Sequence, residues 1–282
     1  LNYMPELPEV EVVKKSLDYK LKNLTLKRVN IINNKLRYKI INKQFDKIKN
    51  QKIISIERRS KYLLINLNKG FTILVHLGMT GKFFIVQNNK RHKTSFYYLL
   101  KKNDAKHNHL TFFFNKKIKL IYNDVRKFGF IKIFQSKNIF DCKHLISLGP
   151  EPLSNNFNLD YFKKYIFNKK NKIKDLLMDQ KFVAGLGNIY CNELLFLCRI
   201  NPARSIIKIN QKELKNIIKF TKKILKQAIF LGGSSIKNFS STEGQGGNFQ
   251  QKFNVYGKAE TRCRRRKCSG TIIKVYMSNR SS

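Results

Sequence analysis

Residues 4–13 read MPELPEVEVV and set two prolines, Pro5 and Pro8, among three carboxylates, Glu6, Glu9 and Glu11. The rest of the chain is strongly basic, so this acidic cluster calls for a local explanation. Proline near a helix start, with acids in the first turns, suits the positive end of the helix dipole. HLGMTG (76–81) and YNDVRKFGF (122–130) mix glycine with charged and apolar residues, and each also fits a plain turn. AGLGNIYCNE (184–193) reads as a glycine-broken helix–turn–helix. CRRRKC sets Cys263 and Cys268 in a C-x4-C spacing, half of a zinc knuckle. A structural zinc site needs four donors, and no Cys or His follows Cys268.

Elements must hold these residues in place. After Pro8, Val10, Val13, Leu17 and Leu21 fall on one helical face. From Thr25 to about Gln135 the pattern changes to short β-branched and aromatic runs: KIISIE, KYLLINL, FTILVHL, TSFYYLL, HLTFFF and KIKLIY. Breaks such as NKG and NKK separate them, the pattern of an antiparallel sandwich or barrel. LGPEPLSNNFN (148–158) is dense in turn-forming residues and marks a domain boundary. Helical periods follow. Asn210 and Glu213 have capping-box spacing, and Leu214, Ile217, Ile218, Leu225 and Ala228 continue one face until Gly232 and Gly233. A glycine- and serine-rich stretch precedes the last thirty or so residues, where TIIKVYM is a short β-like run.

With 282 residues, the chain is long enough for two domains with real cores. No apolar run reaches the ~18 residues of a membrane span, and the start lacks a secretory pattern. Five cysteines, an odd number, suit a reducing compartment. The net charge of +41 fits a polyanion partner, gained through counterion release. It equally fits codon bias, since Lys, Asn, Ile, Phe and Tyr are the residues an AT-rich genome favours.

Taken together and in order, the acidic start, RRSKYLL, HLGMTG, KHNH, DVRKFG, LGPEPL, AGLGNIY, FNVYG and NRSS resemble the formamidopyrimidine-DNA glycosylases. These are bacterial enzymes that remove oxidised purines from DNA, and the resemblance covers the chain from Met4 onward. A PELPEVE start, rather than PEGPE, is similar to this branch and unlike the related endonuclease VIII enzymes. The resemblance implies an α+β multidomain fold. Residues 5–147 would form an N-terminal β-sandwich with an N-terminal helix, and 148–247 a helix–two-turn–helix domain with a lesion-capping loop. Residues 248–282 would form an incomplete zinc-finger-like β-hairpin, and DNA would lie between the domains.

By the same resemblance, Pro5 is the nucleophile, a secondary amine that attacks C1′ of a flipped nucleotide and forms an iminium. An α-amino group titrates near ~8, which leaves an unprotonated fraction at neutral pH. An amide nitrogen cannot attack, so Met4 is read as the true start and Leu1–Tyr3 as absent from the working enzyme. Glu6 matches the general acid, and Lys61 a proton donor around β-elimination. Arg280 matches the finger arginine linked to phosphate binding and δ-elimination. Met79, Arg126 and Phe128 match the trio that fills the void left by the flipped base. His107, Lys170, Lys174 and Asn188 match DNA contacts. Val125 and Lys127 depart mildly from the usual DPRRFG.

Cys263 and Cys268 match the first pair of zinc ligands, and the second pair would follow Ser282. The sequence is therefore read as truncated rather than zincless. The implied function is excision of 8-oxoguanine and formamidopyrimidines from damaged double-stranded DNA, with β,δ-elimination, by a cytoplasmic, non-membrane monomer. An endonuclease VIII-like enzyme for oxidised pyrimidines and a catalytically inactive basic DNA-binding protein remain the alternatives.

Overall fold

The computed structural model describes residues 4–95, 104–232 and 253–282. They form two compact units, one from the chain up to Ile146 and the other from Ser147–Phe230 with the C-terminal segment through Ser282.

The first unit opens with helix α1 (Leu7–Leu21), strand β1 (Thr25–Ile31) and a short helix α2 (Asn42–Asp46). Among the described residues eight strands follow: β2 (Gln51–Arg59), β3 (Tyr62–Leu67), β4 (Phe71–His76), β5 (Gly81–Gln87), β6 (Lys90–Lys93), β7 (Asn108–Phe114), β8 (Lys119–Asp124) and β9 (Phe130–Gln135). All pair antiparallel in the order β6-β5-β8-β7-β1-β2-β3-β4-β9. β1 and β2 share just two residue pairs, Thr25 with Lys52 and Leu26 with Gln51. So short a seam lets the two halves of the sheet fold over a common core. Leu63, Ile65, Ile73 and Val75 come from one half, and Phe83, Phe84, Phe112 and Tyr122 from the other.

Helix α1 closes that core with Val10, Val13, Leu17 and Leu21, all fully buried on the face their spacing predicts. The hairpins between strands are tight. Asn88 and Asn89 link β5 to β6, and Lys116 and Lys117 link β7 to β8, each with positive φ as a twisted two-residue turn requires. The TSFYYLL run extends into residues 96–100, which lie outside the described residues, as does most of the 232–249 glycine-rich stretch.

The second unit holds α3 (Leu159–Ile166), α4 (Ile173–Met178), α5 (Asn188–Cys198) and α6 (Gln211–Phe230). A hairpin of β10 (Tyr276–Met277) and β11 (Arg280–Ser281) ends it. The capping box of α6 forms as read: Asn210 N–H donates to Glu213 Oε2 at 2.9 Å, and Glu213 N–H to Asn210 Oδ1 at 2.9 Å. Leu214, Ile217, Ile224, Leu225 and Ala228 bury the inner face of α6. Among the described residues no helix is long and apolar enough to cross a membrane.

Candidate functional site

The first group of candidates lies at the start of α1. Glu6 is the N-cap residue, and its backbone N–H donates to Glu9 Oε2 at 3.0 Å. The Glu6 carboxylate accepts the Glu9 N–H in return, a complete capping box. This reciprocal pair satisfies two backbone donors that a helix start otherwise leaves unpaired. It also fixes the chain direction at Pro5, which is buried together with Glu6 and Glu9. Lys61 occupies the turn between β2 and β3 with only 7% of its surface exposed.

Lys61 is followed by Tyr62, which pairs with His76 across β3 and β4, their rings 4.9 Å apart. Burial pushes the His76 imidazole down to about 4, and the Lys61, Arg37 and His144 charges push the same way. His76 is therefore neutral at physiological pH. Its Nδ1 accepts the Gly78 N–H at 3.1 Å, so the ring braces the turn that follows β4.

That turn carries Met79, and a second turn, between β8 and β9, carries Arg126 and Phe128. Asp124, fully buried, joins the two. Its Oδ1 accepts from the Thr80 hydroxyl and from Arg126 N–H at 3.3 Å. Its Oδ2 accepts from Gly129 N–H at 2.8 Å and from the Tyr122 hydroxyl at 3.3 Å. Thr80 Oγ1 also accepts the Arg126 N–H at 2.9 Å. The backbones approach so closely that glycine is required. A Cβ on Gly78, whose φ is +61°, would lie 2.4 Å from Gly129 N, and one on Gly129 would lie 1.9 Å from the Tyr122 hydroxyl. With the bases of the turns locked, the tips project. Phe128 is 46% exposed, and the Arg126 guanidinium sits 4.6 Å from its ring centroid.

His107 ends a short 3-10 turn just before β7. His109, two residues on and inside β7, is buried, with Nε2 meeting the Asp124 carbonyl at 2.7 Å, whereas His107, still in the turn, is half-buried.

In the second unit, Lys174 on α4 is 1% exposed. Its amine donates to the Ser281 carbonyl at 2.8 Å and to the Ser282 hydroxyl. Asn188, the first residue of α5, donates to the same Ser281 carbonyl at 3.0 Å, and Asn192 does so at 3.4 Å. Lys174 and Asn188 thus converge on the residue after Arg280, whose own side chain is exposed. Lys170 is exposed in the loop ahead of α4. A further anchor is Glu193, 1% exposed. Its carboxylate accepts from the backbone N–H groups of Asn254 (2.8 Å), Val255 (2.9 Å) and Tyr256 (2.8 Å), and from Asn254 Nδ2 at 3.0 Å.

Cys263 and Cys268 face each other. The Gly270 backbone hydrogen bond lowers the Cys268 thiol below its ordinary range, and so do the bond to Cys263 and the charges of Arg265 and Arg262. Among the described residues no third His, Cys, Asp or Glu joins them. Two sulfurs supply half of a tetrahedral zinc site, so the donor set among the described residues does not fit a closed metal centre.

The sequence motifs alone assign no role to His76, Asp124 or Glu193, although each lies within one of them. A carboxylate within the apolar run NIYCNELLFL was the one local signal for Glu193, since unpaired charges are rarely buried.

The chain is similar to known proteins along nearly its whole length. Residues 4–131 match the family model for the formamidopyrimidine-DNA glycosylase N-terminal domain, and 148–240 match that for its H2TH domain. The formamidopyrimidine-DNA glycosylase of Rickettsia bellii is 40% identical over 279 residues, covering 99% of this chain and 97% of that protein. Among solved structures, wild-type Lactococcus lactis Fpg (MutM) with N7-benzyl-Fapy-dG DNA superposes with a TM-score of 0.84 at 30% identity, over 99% of this chain and 97% of that one. The same L. lactis protein bound to DNA containing an oxidised pyrimidine gives 0.84 at 29% identity, with the same coverage.

Proposed function

The chain belongs to the formamidopyrimidine-DNA glycosylase family, and from that premise we propose that it excises oxidised purines from damaged duplex DNA and cleaves the strand at the abasic site. The observation that carries the reading is the buried Pro5–Glu6 pair, held by the capping box at the start of α1. A proline amine and a carboxylic acid on adjacent residues supply the nucleophile and the proton donor that this chemistry needs.

Pro5 nitrogen attacks C1′ of a flipped nucleotide, the glycosidic bond breaks, and the base leaves with a proton. Glu6 donates a proton to the ring oxygen, the C1′–O4′ bond opens, and the nitrogen lone pair forms an iminium. The iminium acidifies C2′, whose deprotonation expels the 3′ phosphate. A second elimination releases the 5′ phosphate, and water returns the free amine. The reaction requires Pro5 to be N-terminal, because an amide lone pair is delocalised. Lys61 serves as proton donor, and Arg280 steadies the phosphate in the second elimination.

Met79, Arg126 and Phe128 enter the space left by the extruded base, and the Arg126 fork reads the orphaned partner. His107, Lys170 and Asn188 contact the backbone, while Lys174, buried against Ser281 and Ser282, acts on the DNA through the β10–β11 hairpin that it holds. Cys263 and Cys268 would give two thiolates of a zinc finger with a structural role only. The enzyme acts as a monomer in the bacterial cytoplasm.

Borohydride trapping on 8-oxoguanine duplex tests the mechanism: a covalent adduct is expected, and it should vanish in Pro5→Gly and weaken sharply in Glu6→Gln. Undiminished trapping in Pro5→Gly would exclude the proline route. Faster excision of thymine glycol than of 8-oxoguanine would move the substrate to oxidised pyrimidines. A tightly binding protein that gives no adduct at all would be a DNA-binding protein and not an enzyme.

A further inference from the structure

We propose that Arg58 is a positioning residue that holds the turn carrying Lys61 against the helix that begins at Pro5 and Glu6. The inference rests on the roles given above to Lys61, Pro5 and Glu6.

The geometry is that of one rigid cation with two partners. Arg58 Nε pairs with Glu11 Oε2 at 2.7 Å, and Glu11 lies on α1 just past the capping box. From the same guanidinium, Nη1 donates to the Ser60 carbonyl at 2.9 Å. Ser60 has φ +55°, in the left-handed region that non-glycine residues enter at a cost, so its conformation must be held from outside. The carbonyl that Arg58 grips belongs to the peptide that leads into Lys61. Helix α1 and the Lys61 turn are thus joined through a single planar group, with side chains 9% and 17% exposed.

A general docking role for Arg58 explains less. The apolar face of α1 already seats the helix, and Asp18 Oδ1 accepts the Ile56 N–H at 3.0 Å further along it. The bond to Ser60 adds nothing to helix docking, but it fixes the direction in which Lys61 leaves the turn. Lys61 is itself nearly buried, so a tilt of the turn cannot be absorbed by a freely moving stem. A lysine at position 58 could reach one partner and lacks the fixed fork that spans both.

The test compares Arg58→Lys, Lys61→Ala and the double variant in single-turnover excision of 8-oxoguanine and in strand cleavage at a pre-formed abasic site. Lys61→Ala should depress excision more than abasic-site cleavage, because the departing base also draws on its proton and base departure is already complete at a pre-formed abasic site. Arg58→Lys should copy that signature, slowing excision about 10- to 100-fold with abasic-site cleavage within about three-fold, the range expected when a reacting group is displaced by roughly an ångström. The double variant should excise no more slowly than Lys61→Ala alone. Equal losses in both activities, or additive losses in the double variant, would overturn the proposal. If Arg58→Lys fails to fold, Glu11→Ala against Glu11→Gln decides the matter. The glutamine keeps an acceptor for Nε and should lose less excision than the alanine, and equal losses would again overturn it. Should Lys61→Ala itself leave excision intact, the catalytic assignment fails and not the Arg58 linkage.

Discussion

Asp124 is the place where a small chemical change should have a calculable effect. Four donors converge on its carboxylate: the Thr80 and Tyr122 hydroxyls and the Arg126 and Gly129 N–H groups. In Asp124→Asn the amide can orient its NH2 toward Thr80, whose hydroxyl turns round to accept, while the carbonyl oxygen keeps Gly129. What is lost is charge assistance, worth about 1–2 kcal/mol as bonds to an ionised acceptor become neutral ones. Asp124→Ala has no such escape. It strands the Gly129 N–H in a fully buried site and frees the Thr80 turn, which should cost about 3–5 kcal/mol in total at about 1–3 kcal/mol for each unsatisfied group. Urea denaturation of the three proteins measures the differences directly. Affinity for a lesion-containing duplex, measured alongside, should fall in the same order, because the turns bearing Met79, Arg126 and Phe128 lose their common tie. An alanine variant within about 0.5 kcal/mol of the parent, below the scale set for one buried hydrogen bond, would refute the reasoning. So would an asparagine variant as unstable as the alanine.

Other outcomes are expected at independent positions. Met79→Ala and Phe128→Ala should weaken lesion binding without changing its salt dependence, whereas Lys170→Ala should make the slope of log K against log salt about 0.9 shallower for its one phosphate; equal slopes in a titration series would contradict the division. His76 should stay neutral in the folded protein until pH approaches about 4, while in the unfolded chain it takes up a proton near its ordinary value. Because the unfolded state binds that proton first, this residue should erode stability as pH falls from the unfolded value toward 4, and His76→Gln should flatten that part of the profile; an imidazole NMR titration near neutrality would show the burial argument wrong. The 282-residue polypeptide should bind zinc weakly, since Cys263 and Cys268 supply two of four ligands, and a stoichiometric metal content after dialysis would show that other donors close the site.

What the sequence made legible was local. The α1 face of Val10, Val13, Leu17 and Leu21 and the Asn210–Glu213 capping box depend on spacings of three to seven residues, and both formed as read. Most of the strand runs could be seen for the same reason. The polar ties were not legible. Arg58 meets Glu11 across 47 positions, Thr80 meets Asp124 across 44, and Glu193 meets Asn254 across 61. Their meaning arises only when strand register and helix packing bring the partners together. Glu11 looked like a dipole-compensating acid and Arg58 like one more cation in a basic chain. The resemblance pointed to Lys61 and Arg126, but not to the residues that hold their turns.

The way the C-terminal hairpin is held has a consequence for its tolerance to change. Little apolar surface secures it: Met277 is buried, but Ile273 and Tyr276 are 75% and 73% exposed. The grip falls mainly on main-chain atoms, with the Ser281 carbonyl taken by Lys174, Asn188 and Asn192, and one side chain, the Ser282 hydroxyl, taken by Lys174 as well. Main-chain atoms are the same whatever side chain they bear. Helices α4 and α5 therefore act as a socket that recognises a path more than a sequence, and a different loop that keeps the path and the Ser282 hydroxyl could be grafted there. Such a hairpin can drift in sequence between lineages, or be redesigned at position 280 and its neighbours, without losing its seat.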